Sequence, residues 1–134
     1  MGIFDLFRKS EHPESAPRPG TYEVTFQAAL ACAQQGQHAG AKALFARVAD
    51  GVPEEGDACH MLGVEHFGAD WGEAAKWFEE SLRRPYLAPQ LRSASLALLA
   101  RCYVELGRRS EARSCIDMLR AAMPDLAAEL SKQL

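Results

Sequence analysis

Long hydrophobic runs are missing from this 134-residue sequence: no stretch approaches the roughly 18 apolar residues that cross a bilayer as a helix. Strand signals are missing too, since β-branched residues are few and no run alternates with period two. Neither a phosphate-cradling glycine loop, a zinc-protease helix motif nor a calcium loop is present. Positive charge is scarce, with 15 Lys/Arg against 18 Asp/Glu, so the basic surface that non-specific nucleic-acid binding requires is absent. None of the four cysteines (Cys32, Cys59, Cys102, Cys115) belongs to a CxxC pair. Each sits among apolar neighbours in a helical pattern, as expected of reduced core residues in a cytoplasmic protein. No secretory leader is expected, because Met1–Phe7 is too short for its apolar region and runs directly into Arg8-Lys9. Leu6 stands where myristoylation needs Ser or Thr.

What remains is the composition of one globular domain, 48% hydrophobic and 25% charged. Its charge is lopsided: residues 1–82 hold 6 Lys/Arg and 13 Asp/Glu, and residues 83–134 hold 9 and 5. Such bipolarity can steer an oriented partner or favour head-to-tail self-association. Three zones follow along the chain. Residues 1–10 are an apolar N-terminal tip carrying Ile3, Phe4, Leu6 and Phe7. Residues 11–20, EHPESAPRPG, read as a flexible Pro-rich linker. Residues 21–134 carry helical periodicity throughout.

Punctuation places the helices. Thr21 is the expected N-cap of a first helix ending near Gln35, with Gly36 as a left-handed stop. A second runs from His38 to Asp50. Asp57 is expected to cap a third that closes at Gly68. Asp70 and Glu73 form a capping box for a fourth that runs to Arg84. Pro89 opens a fifth, stopped by Gly107; a sixth spans Ser110 to Ala122, and Asp125 caps a last short one.

Three segments share one pattern: residues 28–53, 62–85 and 99–124. A small residue on the first helix (Ala29, Gly63, Ala100) precedes Cys32, Phe67 or Tyr103, and a turn follows. The second helix carries Ala41, Ala74 or Ala112, then Phe45, Phe78 or Ile116, and a proline closes at Pro53, Pro85 or Pro124. The key alanines are 33 and 38 residues apart. This pattern resembles the tetratricopeptide repeat, with a period of about 34 residues, and its second copy is also similar to the Sel1-like repeat. About four extra residues near Tyr86–Gln90 lengthen the third link. The resemblance implies an all-α fold, a short right-handed α-solenoid of about three antiparallel helix pairs plus a C-terminal capping helix.

The resemblance also implies a function: a protein-protein interaction module, an adaptor without cofactor or catalysis, binding a protein or peptide in a concave groove. Matched by position, Glu23, Phe26, Leu30, Ala33 and Gln34 would line that groove from the first unit. Asp57, His60, Val64 and Phe67 would come from the second, and Ala97, Arg101, Val104 and Glu105 from the third. The groove lacks the basic set with which chaperone-binding members clamp a C-terminal carboxylate. An inhibitor or immunity protein neutralising a basic toxin or effector is the second reading, given the acidic first two thirds. A cysteine-dependent enzyme using Cys59 beside His60 is a remote third, since helical neighbours in sequence point apart. Cys59 and His66 are likewise poorly placed to share a metal. Glu54-Glu55, Glu79-Glu80 and Asp70/Glu73 read as loop, surface and cap rather than as an acid/base pair. The apolar tip has four destinations: its own groove, an end of the stack, a partner, or weakly a membrane surface, where only Arg8 and Lys9 would help.

Overall fold

The computed structural model describes residues 18–134. The tip residues Ile3, Phe4, Leu6 and Phe7, and the Pro-rich stretch as far as residue 17, lie outside the described residues. Within them the fold is all-helical, with seven helices and no strand: α1 (Gly20–Gln34), α2 (His38–Gly51), α3 (Asp57–His66), α4 (Trp71–Arg83), α5 (Pro89–Glu105), α6 (Arg109–Arg120) and α7 (Pro124–Ser131). None of these helices is long and apolar enough to cross a membrane.

Local chemistry sets most of the ends. Gly36 and Gly107 adopt φ of +76° and +77°, the left-handed conformation that stops α1 and α5 at the places the sequence marks. Pro89 occupies the first turn of α5, where its missing N–H costs nothing. Asp70 caps α4 by accepting the Glu73 N–H at 3.0 Å. Only this half of the expected box forms, because the Asp70 N–H is already given to the His66 carbonyl at 2.8 Å. Three other caps are displaced, Asp125 among them, which lies inside the first turn of α7 behind the N-cap Met123. The N-cap of α1 is Pro19, and Thr21 turns its hydroxyl to no cap. Asp57 lies inside α3 with Gly56 as N-cap, and its carboxylate accepts the distant Ala88 N–H at 3.2 Å.

Burial explains why some helices show a clean period and others do not. In α6 the buried residues Ala112, Cys115, Ile116 and Leu119 form one stripe at helical spacing. In α5 Ser95, Leu96, Leu99, Ala100, Cys102 and Tyr103 are all buried, covering more than one face. That helix packs chiefly on α4 and α6 and also touches α3 and α7. The most extensive packing lies between α1 and α2, α3 and α4, and α5 and α6.

Apolar burial falls into two clusters. One joins Phe26, Ala29, Ala41, Phe45, Val48, Cys59 and Leu62 from α1 to α3. The other joins Ala74, Phe78, Leu96, Leu99, Tyr103, Ile116, Leu119 and Ala127 from α4 to α7. They meet where Gly63 faces the Phe78 ring. A Cβ at Gly63 would lie 2.6 Å from Phe78 Cε1, so only glycine admits the ring this close. The extra residues before α5 span the connection without lengthening an open loop. Tyr86 gives its N–H to the Glu54 carbonyl at 3.0 Å and receives the Gly56 N–H at 2.6 Å. Leu87 and Ala88 are buried behind it.

Ala41, Ala74 and Ala112 are each 0% exposed, and each precedes a buried large residue by one turn. Replacing Ala74 or Ala112 with leucine should overpack its site and cost about 1–3 kcal/mol. Urea unfolding of the two variants checks this, and an unchanged midpoint for both would contradict the repeat register.

Candidate interaction surface

The residues expected to line a groove divide into three environments. Phe26 and His60 are both buried, His60 within the interior and Phe26 with one face of its ring turned to Arg18. Phe26 packs edge-on against Phe45 with ring centroids 5.5 Å apart. His60, only 4% exposed, sets its ring 5.5 Å from that of Phe78. Its Nδ1 lies 2.7 Å from Ser95 Oγ, which lies 3.0 Å from Ser81 Oγ. Ser81 donates to the Phe78 carbonyl at 2.7 Å, so Ser95 is the donor to Ser81, and His60 Nδ1 donates to Ser95. One helix each of α3, α4 and α5 is thereby tied by a satisfied polar chain.

Burial also sets the ionisation of this region. The Cys59 thiol is fully buried and desolvation pushes it up to about 12. Burial pushes His60 down to about 4. A nucleophilic cysteine needs the opposite, a depressed thiol beside a base that can take its proton. Cys102 and Cys115 are pushed up to about 11 for the same reason. All four cysteines are free.

A second group lies along α3, α4 and α5. Phe67 packs on Trp71 at 4.9 Å and on Phe78 at 6.4 Å. The Arg101 guanidinium stands 5.8 Å from the Trp71 ring and bonds Glu105 at 3.0 Å. Trp71 therefore joins two of the expected residues, a link for which the sequence offers no signal beyond its aromatic character. Val64 is 38% exposed nearby in sequence, Val104 is half-buried against the second cluster, and Leu30 is half-buried against the first. Further along α5, Ala94, Ala97 and Leu98 face Met123 and Leu126 across a cleft of about 330 Å³. Among the described residues, its polar borders are Gln90 and Ser93.

The third group surrounds Arg18. Its Nε and one terminal nitrogen both contact Glu55 Oε1. The other terminal nitrogen donates to Glu23 Oε1 at 2.7 Å, and Asp57 Oδ2 lies 3.7 Å from the terminal nitrogen that contacts Glu55. Phe26 forms the floor, its ring centroid 3.9 Å from the guanidinium carbon. Glu54 and Glu55 lie in the loop before α3 as expected, but Glu55 is only 1% exposed, whereas Glu54 is exposed. The Glu55 Oε2 atom has no hydrogen-bond partner among the described residues. Desolvation raises both the Glu55 and Asp57 carboxyls, with Arg18 opposing it. Arg84 holds the backbone beneath by donating to the carbonyls of Ala49 at 2.8 Å and Glu55 at 3.2 Å. Sequence reasoning missed this cluster because its partners are 37 residues apart and no local pattern pairs them.

Among the described residues, no group of three or more His, Cys, Asp or Glu side chains is arranged to hold a metal ion. Compared with known proteins, the chain matches no protein-family model and no curated protein sequence.

Proposed function

We propose that this chain is a protein-protein interaction module, an adaptor that binds a protein or peptide segment and catalyses no reaction. The observation that carries this reading is the apolar cleft of Ala94, Ala97, Leu98, Met123 and Leu126, open between α5 and α7. An apolar cleft with few polar borders suits the apolar face of a partner helix or an extended segment. Packing between helices adjacent in sequence, with α3 touching α5 and α5 touching α7, supports a short right-handed α-solenoid of about three antiparallel pairs capped by α7. That arrangement is tetratricopeptide-like. Four free cysteines, buried at Cys59, Cys102 and Cys115 and half-buried at Cys32, support work in the reducing cytoplasm.

The decisive experiment compares three full-length baits in extracts of the native host: wild type, Ala97→Glu, and Met118→Glu on the exposed side of α6. A partner retained by wild type and Met118→Glu should fall about tenfold or more with Ala97→Glu, since a carboxylate would be buried in an apolar contact. Equal retention by Ala97→Glu, folded by circular dichroism, or no enriched protein with any bait, would overturn the cleft as the binding site.

A second reading is an inhibitor of a basic protein. It is favoured by the carboxylate excess of the first two thirds, 13 Asp/Glu to 6 Lys/Arg. Steep weakening of the association rate with salt would mark this reading and not the first.

A further inference from the structure

The carboxylates around Arg18 do more than make a surface ion pair. Glu55 is buried, and burying a carboxylate without compensation is expensive. Its loop is nevertheless built to hold it there, pinned by Arg84 from below and by the Tyr86 backbone at its side. The cage has the shape of one chemical group. An aromatic face meets the cation on one side, while carboxylates meet Nε and both terminal nitrogens. A lysine ammonium has neither the plane nor the fork to satisfy this arrangement.

The tethered arginine fills the cage incompletely. Two of its nitrogens converge on Glu55 Oε1, while Oε2, equally buried, has no donor among the described residues. A side-on bidentate pairing would use both oxygens. Arg18 makes no such pairing here, and its chain enters α1 only two residues later. Three carboxylates also face this single cation. An arginine not tied to α1 could turn to serve both Glu55 oxygens.

We propose that Glu23, Glu55, Asp57 and the Phe26 ring form a guanidinium-binding site for an arginine carried on another polypeptide, with Arg18 as its built-in competitor. The site is separate from the α5–α7 cleft, so either can fail its test while the other stands. Its ligand class is an arginine side chain in an extended, proline-flanked segment, by analogy with the Pro17-Arg18-Pro19 context of the occupant.

The test uses full-length Arg18→Ala and a synthetic peptide of residues 15–22, titrated by NMR on the Phe26 ring. The peptide should bind Arg18→Ala about tenfold or more tightly than wild type, whose own arginine competes. A peptide with lysine in place of arginine should not bind, and Glu55→Gln added to Arg18→Ala should abolish binding. Failure of the arginine peptide to bind a folded Arg18→Ala chain overturns the proposal, as does equal binding of the lysine peptide. If Arg18→Ala does not fold, Arg18→Met retains the aliphatic stack on Phe26. If neither folds alone, recovery of helical dichroism on adding the arginine peptide supports the site, and no recovery overturns it.

Discussion

Replacing Phe78 with alanine should lower the stability of the chain by about 3–5 kcal/mol, a large share of the roughly 5–15 kcal/mol typical of a domain. The ring is 0% exposed and touches the His60 and Phe67 rings as well as the backbone of Gly63. It lies where the two apolar clusters adjoin, so little can collapse into its space without moving α3 against α4. The reverse change at the same contact, Gly63→Ala, should also destabilise, because the new methyl group would lie 2.6–2.8 Å from three ring carbons. Chemical unfolding of both variants provides the check. A loss below about 1 kcal/mol for Phe78→Ala would show that this ring is not the keystone its contacts imply.

Acid should weaken the fold through His60 over a defined window. In the unfolded chain this imidazole takes a proton near 6.5, whereas burial keeps it neutral in the fold until about 4. Above pH 6.5 both states leave it neutral, and its contribution to stability is fully present. As pH falls from 6.5 to 4 the unfolded state gains the proton first, and roughly 3 kcal/mol is lost. Below 4 the loss levels off. Glu55 and Asp57 act in the opposite sense, since their raised carboxyls bind protons more readily in the fold and lose that advantage as pH rises. Subtracting the curve of His60→Gln from that of the parent isolates the imidazole. A difference that stays flat between pH 4 and 6.5 would contradict its burial as a neutral group.

The helices of this protein are legible in its sequence because their signals are local. Gly36, Gly107, Pro89 and Asp70 act within a few residues of themselves, and the stripe of α6 is buried on one side only. Buried and accessible apolar residues are harder to separate. Phe26 and Val64 look alike on a helical pattern, yet one is packed beneath Arg18 and the other is 38% exposed. Polar residues are harder still. His60 finds Ser95 at a separation of 35 residues, and Glu55 finds Arg18 at 37. Nothing adjacent to Glu55 distinguishes it from exposed Glu54; only the arrival of Arg18, Arg84 and Tyr86 makes its burial tolerable.

The division into two apolar clusters has a consequence for how the chain is made. By the time Leu62 has left the ribosome, every buried side chain of the first cluster exists and can begin to close, with only Trp77 still to pack on it. Its polar edges cannot be finished so early. The Glu55 carbonyl waits for Arg84, and the His60 imidazole waits for Ser95. A nascent chain halted between these points would carry an apolar core with an open polar rim. The arrival of α4 and α5 is what converts that rim from a place where water enters into a sealed joint.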